Sequence, residues 1–335
     1  MTALVLAIAF AFAFALTNGF HDAANAIATL LATRGARPGQ GIVLSAVFNV
    51  LGALLVGSAV ASTIAGIVSV SSSQAVAVIG SGVLAATVWN LITWQRGLPS
   101  SSGHALVGGL VGAALAESGI EAVNWGGLEG IRPHGVAGTL IALAVSPPLG
   151  FVLGALAVAL SRRALARATS RTHEPIRGSE WVMSAALSFS HGANDGQKAM
   201  GVIAALLVAT RHLQSFSVPL WVRITCAAAL TLGTCMGGWR IIRTVGRRIF
   251  RLAPIDGFDS QSTSTAVILG SSLIGGPVST SHVVASSVVG VGVGRRRFKH
   301  VRWAVVRSLA FAWIATLPAS AALGASTVLV WSAIE

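Results

Sequence analysis

Asn18-Gly-Phe-His21-Asp22-Ala-Ala-Asn25-Ala26 returns 173 residues later as His191-Gly-Ala-Asn194-Asp195-Gly-Gln-Lys198-Ala199. A second pair follows in the same order. Pro99-Ser100-Ser101-Ser102-Gly-His104 resembles Pro277-Val-Ser279-Thr280-Ser281-His282 at an offset of 178. Two motifs repeated in order at nearly equal spacing mark a duplicated unit, and a duplicated unit fixes the architecture. The expected division is a first repeat over 1–160, a basic linker over 161–180 (SRRALARATSRTHEPIRGSE) and a second repeat over 181–335.

Around these motifs the chain is built for lipid. Of its 335 residues, 54% are hydrophobic and 10% charged, with a mean hydropathy of +0.77. A soluble domain carries about 25% charge, so a soluble globule of this size is excluded. The 38 Gly and 10 Pro follow no collagen period and no polar low-complexity tract, which excludes the fibrous and disordered classes. The formal charge is +13, yet the 23 Lys and Arg fall in short clusters between apolar runs, a topology signal rather than a nucleic-acid-binding face. Cys226 and Cys235 lie nine positions apart on opposite sides of a helix, so neither a disulfide framework nor a metal site is expected, and no cofactor. No phosphate-binding loop of the ATPase type occurs, which argues against ATP as the driving force. The opening MTALVLAIAFAFAFALTNGF has neither a basic start nor a small-residue cleavage pattern and reads as a retained span.

Crossing about 30 Å of hydrocarbon takes about 20 apolar residues. Runs near 3–33, 40–68, 75–95, 134–160, 181–210, 219–246 and 303–331 meet that length. Two shorter pieces, near 262–275 and 283–293, do not, and are expected to enter and turn back at Gly275 to His282. Arginine sets the orientation: Arg162, Arg163, Arg167 and Arg171, then Arg247, Arg248 and Arg251, then Arg295, Arg296, Arg297 and Lys299 belong in the cytoplasm. The loop 117–133, with Glu117, Glu121 and Glu129 against Arg132, belongs outside. Trp181, Trp221, Trp303 and Trp331 near run ends suit an aromatic belt. The two halves then start on opposite sides. The predicted fold is all-α: a polytopic membrane protein with two inverted repeats, broken helices and two re-entrant helical hairpins, the pattern of a secondary transporter with a midplane site. A bacterial-type inner membrane, both termini extracytoplasmic and a homodimer are the accompanying expectations.

Asp22 and Asp195 lie deep in apolar runs at matching repeat positions, whereas the other eight acidic residues fall in loops or near ends. A carboxylate in the membrane must be paired, protonated or beside a cation, and is functional by default. Lys198, three residues after Asp195, shares its helical face and supplies a counter-charge where the first repeat has Asn25. Gly19, Gly192 and Gly196 would let these helices unwind. Each serine-rich turn, Ser100 to Ser102 and Ser279 to Ser281, precedes a helix, so free N–H groups and the positive dipole end point at it, and a tetrahedral oxyanion is the natural ligand. Simple helix capping is the competing role for these hydroxyls. His21, His191, His104 and His282 read as hydrogen-bonded spacers rather than proton carriers. An anion beside an ionised Asp is repelled unless a cation or proton travels with it, so coupled symport follows.

GFHDAANAIAT, SHGANDGQKAMG and the two P-x-S-[ST]-x-H turns, with VFNVLGALLVG and LGTCMGGWRIIRTVG beside them, resemble the inorganic phosphate transporter family of the PiT type over both halves. The resemblance implies cation-coupled phosphate uptake. Ser101, Ser102, Ser279, Thr280 and Ser281 would hold the anion, and Asp22, Asn25, Asn194, Asp195 and Lys198 would serve the coupling ion or proton. Sodium-coupled members carry Gly-Ala-Asn-Asp in both signatures and Asn after the second Asp. Here the first reads Gly19-Phe20-His21-Asp22, Lys198 stands in the second, and Asn49 stands where such members tend to have Glu. This pattern is similar to the bacterial low-affinity branch, linked to protons and to phosphate complexed with a divalent metal. An ammonium at Lys198 replaces one sodium ion electrostatically, which favours a proton as coupling cation over sodium. Sulfate is the alternative cargo. An intramembrane hydrolase built on Ser102 or Ser281 gains nothing from a second inverted copy, and a passive anion channel would be lined by rings of charge or carbonyls.

Overall fold

The computed structural model describes residues 1–167, 173–296 and 298–334. Arg171, Arg297 and the middle of the basic linker lie outside the described residues. Long apolar runs without charge give long helices: α1 (Thr2–Ala32), α2 (Pro38–Leu55), α3 (Ala59–Ala65), α4 (Ala75–Gln95), α5 (Ser102–Ser118), α6 (Gly135–Ala164), α7 (His173–Ala209), α8 (Leu220–Met236), α9 (Trp239–Arg243), α10 (Pro254–Leu273), α11 (Thr280–Gly294) and α12 (Trp303–Ile334). A short antiparallel pair, Gly127–Glu129 with Arg132–His134, closes the acidic loop between α5 and α6. Among the described residues the fold is all-α apart from that pair and one isolated bridge between Val68 and Val123. Among the described residues five helices, α1, α2, α4, α6 and α12, are long and apolar enough to cross a membrane, and a sixth span results if α8 and the segment after it, bent by 62°, count as one.

Three sequence expectations are revised. The run 40–68 is two helices, broken after Leu55, and the run 219–246 breaks after Met236, where Gly237 takes a φ of 68°. The piece expected at 262–275 is a 20-residue helix from Pro254, about 30 Å long by its rise. Its added first turns, PIDGFDSQ, carry Asp256, Asp259, Ser260 and Gln261, which hid them from a search for apolar runs. Lastly, α1 and α7 run unbroken through the signature motifs, so Gly19, Gly192 and Gly196 do not unwind them.

The glycines serve packing instead. A Cβ on Gly19 would collide with the Leu230 carbonyl, and one on Gly233 with that of Leu16, so α1 and α8 cross at backbone contact. Gly52 and Gly192 do the same for α2 and α7 against Phe189 and Asn49. Close approach through small residues is the usual means by which helices associate in lipid, where apolar burial offers no driving force. The remaining pairings follow the same exchange. α5 packs on α12 as α11 packs on α6, α4 packs on α5 as α10 on α11, and α1 packs on α4 as α7 on α10. The two signature helices and the two hairpins, α4–α5 and α10–α11, thereby surround one polar centre.

Candidate substrate and coupling site

The site begins with two helix N-termini. Ser101 and Ser279 hold extended backbone just before α5 and α11, and each accepts a hydrogen bond on its hydroxyl from the backbone N–H three residues on, His104 at 3.1 Å and His282 at 3.3 Å. Capping is thus real, but it uses only the oxygen as acceptor and leaves each O–H free to donate. The first N–H groups of both helices remain for an anion.

The two tips touch. Ser281 Oγ donates to the Ser100 carbonyl oxygen at 2.6 Å, and Ser279 and Ser281 hydroxyls lie 3.2 Å apart. Ser101, Ser102, Ser279, Thr280 and Ser281 are all buried, and the Ser102 hydroxyl has no protein partner. Residues far apart in sequence are thereby brought into one cluster.

Each signature carboxylate reaches a tip. Asp195, from the middle of α7, accepts a hydrogen bond from Thr280 Oγ1 at 2.8 Å, lies 2.8 Å from His191 Nε2 and forms an ion pair with Lys198. Lys198 Nζ also donates to the Val278 carbonyl at 3.0 Å, and a Cβ on Gly103 of the other tip would stand 3.4 Å from it. The buried ammonium therefore sits against both hairpins. Asp22, from α1, takes a longer route: His21 Nδ1 lies 2.8 Å from Asp22 Oδ1, and His21 Nε2 lies 3.1 Å from Thr93 Oγ1 and 3.3 Å from Ser100 Oγ. Asn194 holds the second hairpin through Ser272 (2.9 Å) and the Gly276 carbonyl (3.1 Å) and keeps an unpartnered Oδ1. Asn25 is buried near Asp22 in sequence with both amide atoms unpartnered, as are Asn18 and Asn90.

The halves therefore differ in charge. In the second, a fixed ammonium neutralises Asp195. In the first, no Lys or Arg pairs with Asp22 among the described residues, and three buried amides have unused donors and acceptors. Such amides cost free energy unless something polar meets them. Thr93, Ser100, Ser272 and Asn49, whose Oδ1 lies 2.9 Å from His191 Nδ1, join the network without having been chosen as site residues. Ser100 sits inside a duplicated motif and Asn49 in the VFNVLGALLVG stretch. Thr93 and Ser272 carry no signal beyond being polar in apolar runs.

One expectation about charge is corrected. Asp22 and Asp195 are not the only buried acids: Glu180, Asp256 and Asp259 are at most 1% exposed. Arg295 Nε donates to Asp256 at 2.6 Å and its Nη2 lies 3.9 Å from Asp259, which also accepts from Ser161, while Glu180 accepts from Thr33 at 2.9 Å. They lie near ends of their helices, as expected, but the ends pack together. Burial pushes the Glu180 carboxyl up to about 8.

The Phosphate transporter family model matches residues 18–324. The chain is 40% identical over 321 residues to the "Probable low-affinity inorganic phosphate transporter" of Bacillus subtilis (strain 168), covering 95% of this chain and 93% of that one. It is 40% identical over 310 residues to the protein of the same description from Rhizobium meliloti (strain 1021), covering 92% and 90%. A solved structure, "The sodium-dependent phosphate transporter", superposes with a TM-score of 0.85 at 25% identity, covering 100% of each chain.

Proposed function

The chain belongs to the phosphate transporter family and is a membrane transporter, not an enzyme; from that premise we propose that it imports inorganic phosphate, free or complexed with a divalent metal, by proton symport. The observation that carries the reading is the meeting of two hydroxyl-lined helix N-termini, Ser281 on Ser100, with one carboxylate tied to each tip. Ser101, Ser102, Ser279, Thr280 and Ser281 with the free N–H groups of α5 and α11 cradle the anion. Asp195 and Asn194 orient the second tip. Asp22 and Asn25 serve the coupling cation.

A proton fits better than sodium because Lys198 already fills one half of the centre with a charge that never leaves. A sodium-coupled site needs oxygens around an ion at each carboxylate, and Lys198 occupies Asp195 in its place. Sodium is the second reading, favoured by the open amides near Asp22 and by the likeness to a sodium-dependent phosphate transporter of known structure. Phosphate is preferred over sulfate if an acceptor such as Asp22 takes the hydrogen bond from monohydrogen phosphate, a proton that sulfate lacks. The arginine distribution supports basic clusters in the cytoplasm, both termini outside and two inverted halves.

Radiolabelled phosphate uptake by purified protein in liposomes, with Na⁺ and pH gradients imposed separately, tests the coupling. An inside-alkaline gradient should drive accumulation without Na⁺. Dependence on Na⁺ alone would reject the proton. Competition by excess sulfate and uptake with and without Mg²⁺ then define the cargo.

A further inference from the structure

The four motif histidines divide into two kinds. Although His191 Nε2, 2.8 Å from Asp195 Oδ2, lacks hydrogen-bond geometry, His21 and His191 each have both ring nitrogens beside a polar side chain, Asp22 and Thr93 for one and Asn49 and Asp195 for the other. His104 and His282 do not. Their rings stack on each other across the seam between the tips, centroids 5.1 Å apart and planes 28° apart. Trp313 of α12 stacks on His282 with centroids 4.0 Å apart and ties itself to the first tip through Nε1 to the Pro99 carbonyl at 3.0 Å. His104 Nδ1 and His282 Nε2 are buried without a hydrogen-bond partner, although His282 is only 2% exposed. A packing clasp would be served better by a phenyl ring, which has no buried polar atom to leave unpaired.

The charged surroundings of the pair are few. From α7 come Lys198 and, through it, Asp195 with His191; α1 brings Asp22 and His21; α12 presents neutral Trp313, its Arg307 lying exposed over a turn away; α4 carries no titratable residue, and Arg96 just past its end is exposed. Asp256 and Asp259 on α10, Arg295 at the end of α11 and Arg162 and Arg163 on α6 lie more than three turns along their helices from the tips. Lys198 is thus the nearest fixed charge, and a proton on either ring stands beside that ammonium and is repelled by it. A phosphate anion in the cradle, whose backbone donors are the uncapped N–H groups of Ser102, Gly103, Thr280 and Ser281, cancels that repulsion.

We propose that His104 and His282 take up the symported proton, one proton shared by the pair, as phosphate binds between the tips. The step moves one proton from water on the uptake side to an imidazole nitrogen and returns it to water on the other side when the anion leaves; no bond of the phosphate changes. Phosphate and proton then favour each other's binding by the same factor, as linkage demands. This inference rests on the proton-symport reading and moves the proton from Asp22 and Asn25, where that reading put it, to the stacked ring pair.

The test compares wild type with His104→Gln, His282→Gln and the ring-preserving His104→Phe and His282→Phe in proteoliposomes. Two quantities are read: phosphate-driven proton influx by an internal pH dye, and the pH dependence of KM in phosphate counterflow. For the wild type, KM should rise by up to about tenfold per pH unit on the alkaline side, the slope of one linked proton. Phosphate's own titration is common to all variants and drops out of the comparison. In the variants counterflow should persist while proton influx is lost and the slope flattens towards the phosphate-only dependence. Variants that keep wild-type proton influx and slope would overturn the proposal, and a Phe variant that does so would make the rings a clasp only. Sodium-driven, proton-independent uptake by the wild type would instead overturn the symport reading itself. Should the variants misfold, ¹⁵N-histidine NMR of the wild type decides. A ring of the pair that protonates on adding inorganic phosphate supports the assignment, and two rings that stay neutral overturn it.

Discussion

At the scale of single residues, the centre is an asymmetric pair of carboxylates, and the asymmetry has an energetic signature. Asp195 and Lys198 are both buried, and removing one partner strands the other charge. Asp195→Asn should therefore lower stability by about 3–5 kcal/mol, whereas combining it with Lys198→Gln should recover most of that loss, because two neutral groups strand nothing. Thermal unfolding in detergent of the two single variants and the double variant checks this; additive losses would mean that the two side chains do not act as a pair. Lys198 was legible as the counter-charge because spacing of three on a helix places two side chains on one face. The bond from Thr280 to Asp195 was not, since it joins residues 85 apart through a tertiary fold that no local pattern specifies. The same limit applies to the histidines. Sequence offers four similar residues, and only the packing distinguishes the two set beside carboxylates, His21 and His191, from the two stacked on each other, His104 and His282.

At the scale of elements, hydropathy located most helices within a few residues and failed where composition and conformation part company. α10 escaped because its first half is polar yet buried, with Asp256, Asp259, Ser260, Gln261 and Ser264 turned inward against neighbours that are also polar. The signature glycines were misread because small size permits both unwinding and close approach, and only the neighbouring helix decides which occurs. The ends of α1, α7 and α10 meet at Glu180, one residue before the apolar run of α7, where Thr33 donates to it and Gly257 leaves it room. Its carboxyl is raised from 4.5 to about 8 by burial, so between these values the unfolded chain has released a proton that the folded chain keeps. Folding stability should therefore fall as pH rises from about 4.5 to 8, by no more than about 1.4 kcal/mol per pH unit from this group, and level off above. Glu180→Gln, which keeps an acceptor for Thr33, should flatten that slope and raise the melting temperature at pH 8 relative to wild type. An unchanged slope in detergent melts at pH 5, 6.5 and 8 would assign the dependence elsewhere.

At the scale of the whole molecule, the duplicated motifs made the architecture readable. Their order fixes which helices correspond, and each major pairing in one half has its exchanged counterpart in the other. What the repeat does not specify is how far apart the two tips end up, because that distance is set by α6 and α12 clamping their hairpins and by glycine contacts between α1 and α8 and between α2 and α7. The tips meet, and transport as proposed depends on that meeting: one anion is held by both hairpins at once. A crystal grown with arsenate, a phosphate analogue whose anomalous scattering identifies it, tests this most directly. One anomalous peak within hydrogen-bonding distance of hydroxyls from both Ser101–Ser102 and Ser279–Ser281 is the expected result; arsenate bound at one tip only, or away from both, would contradict it.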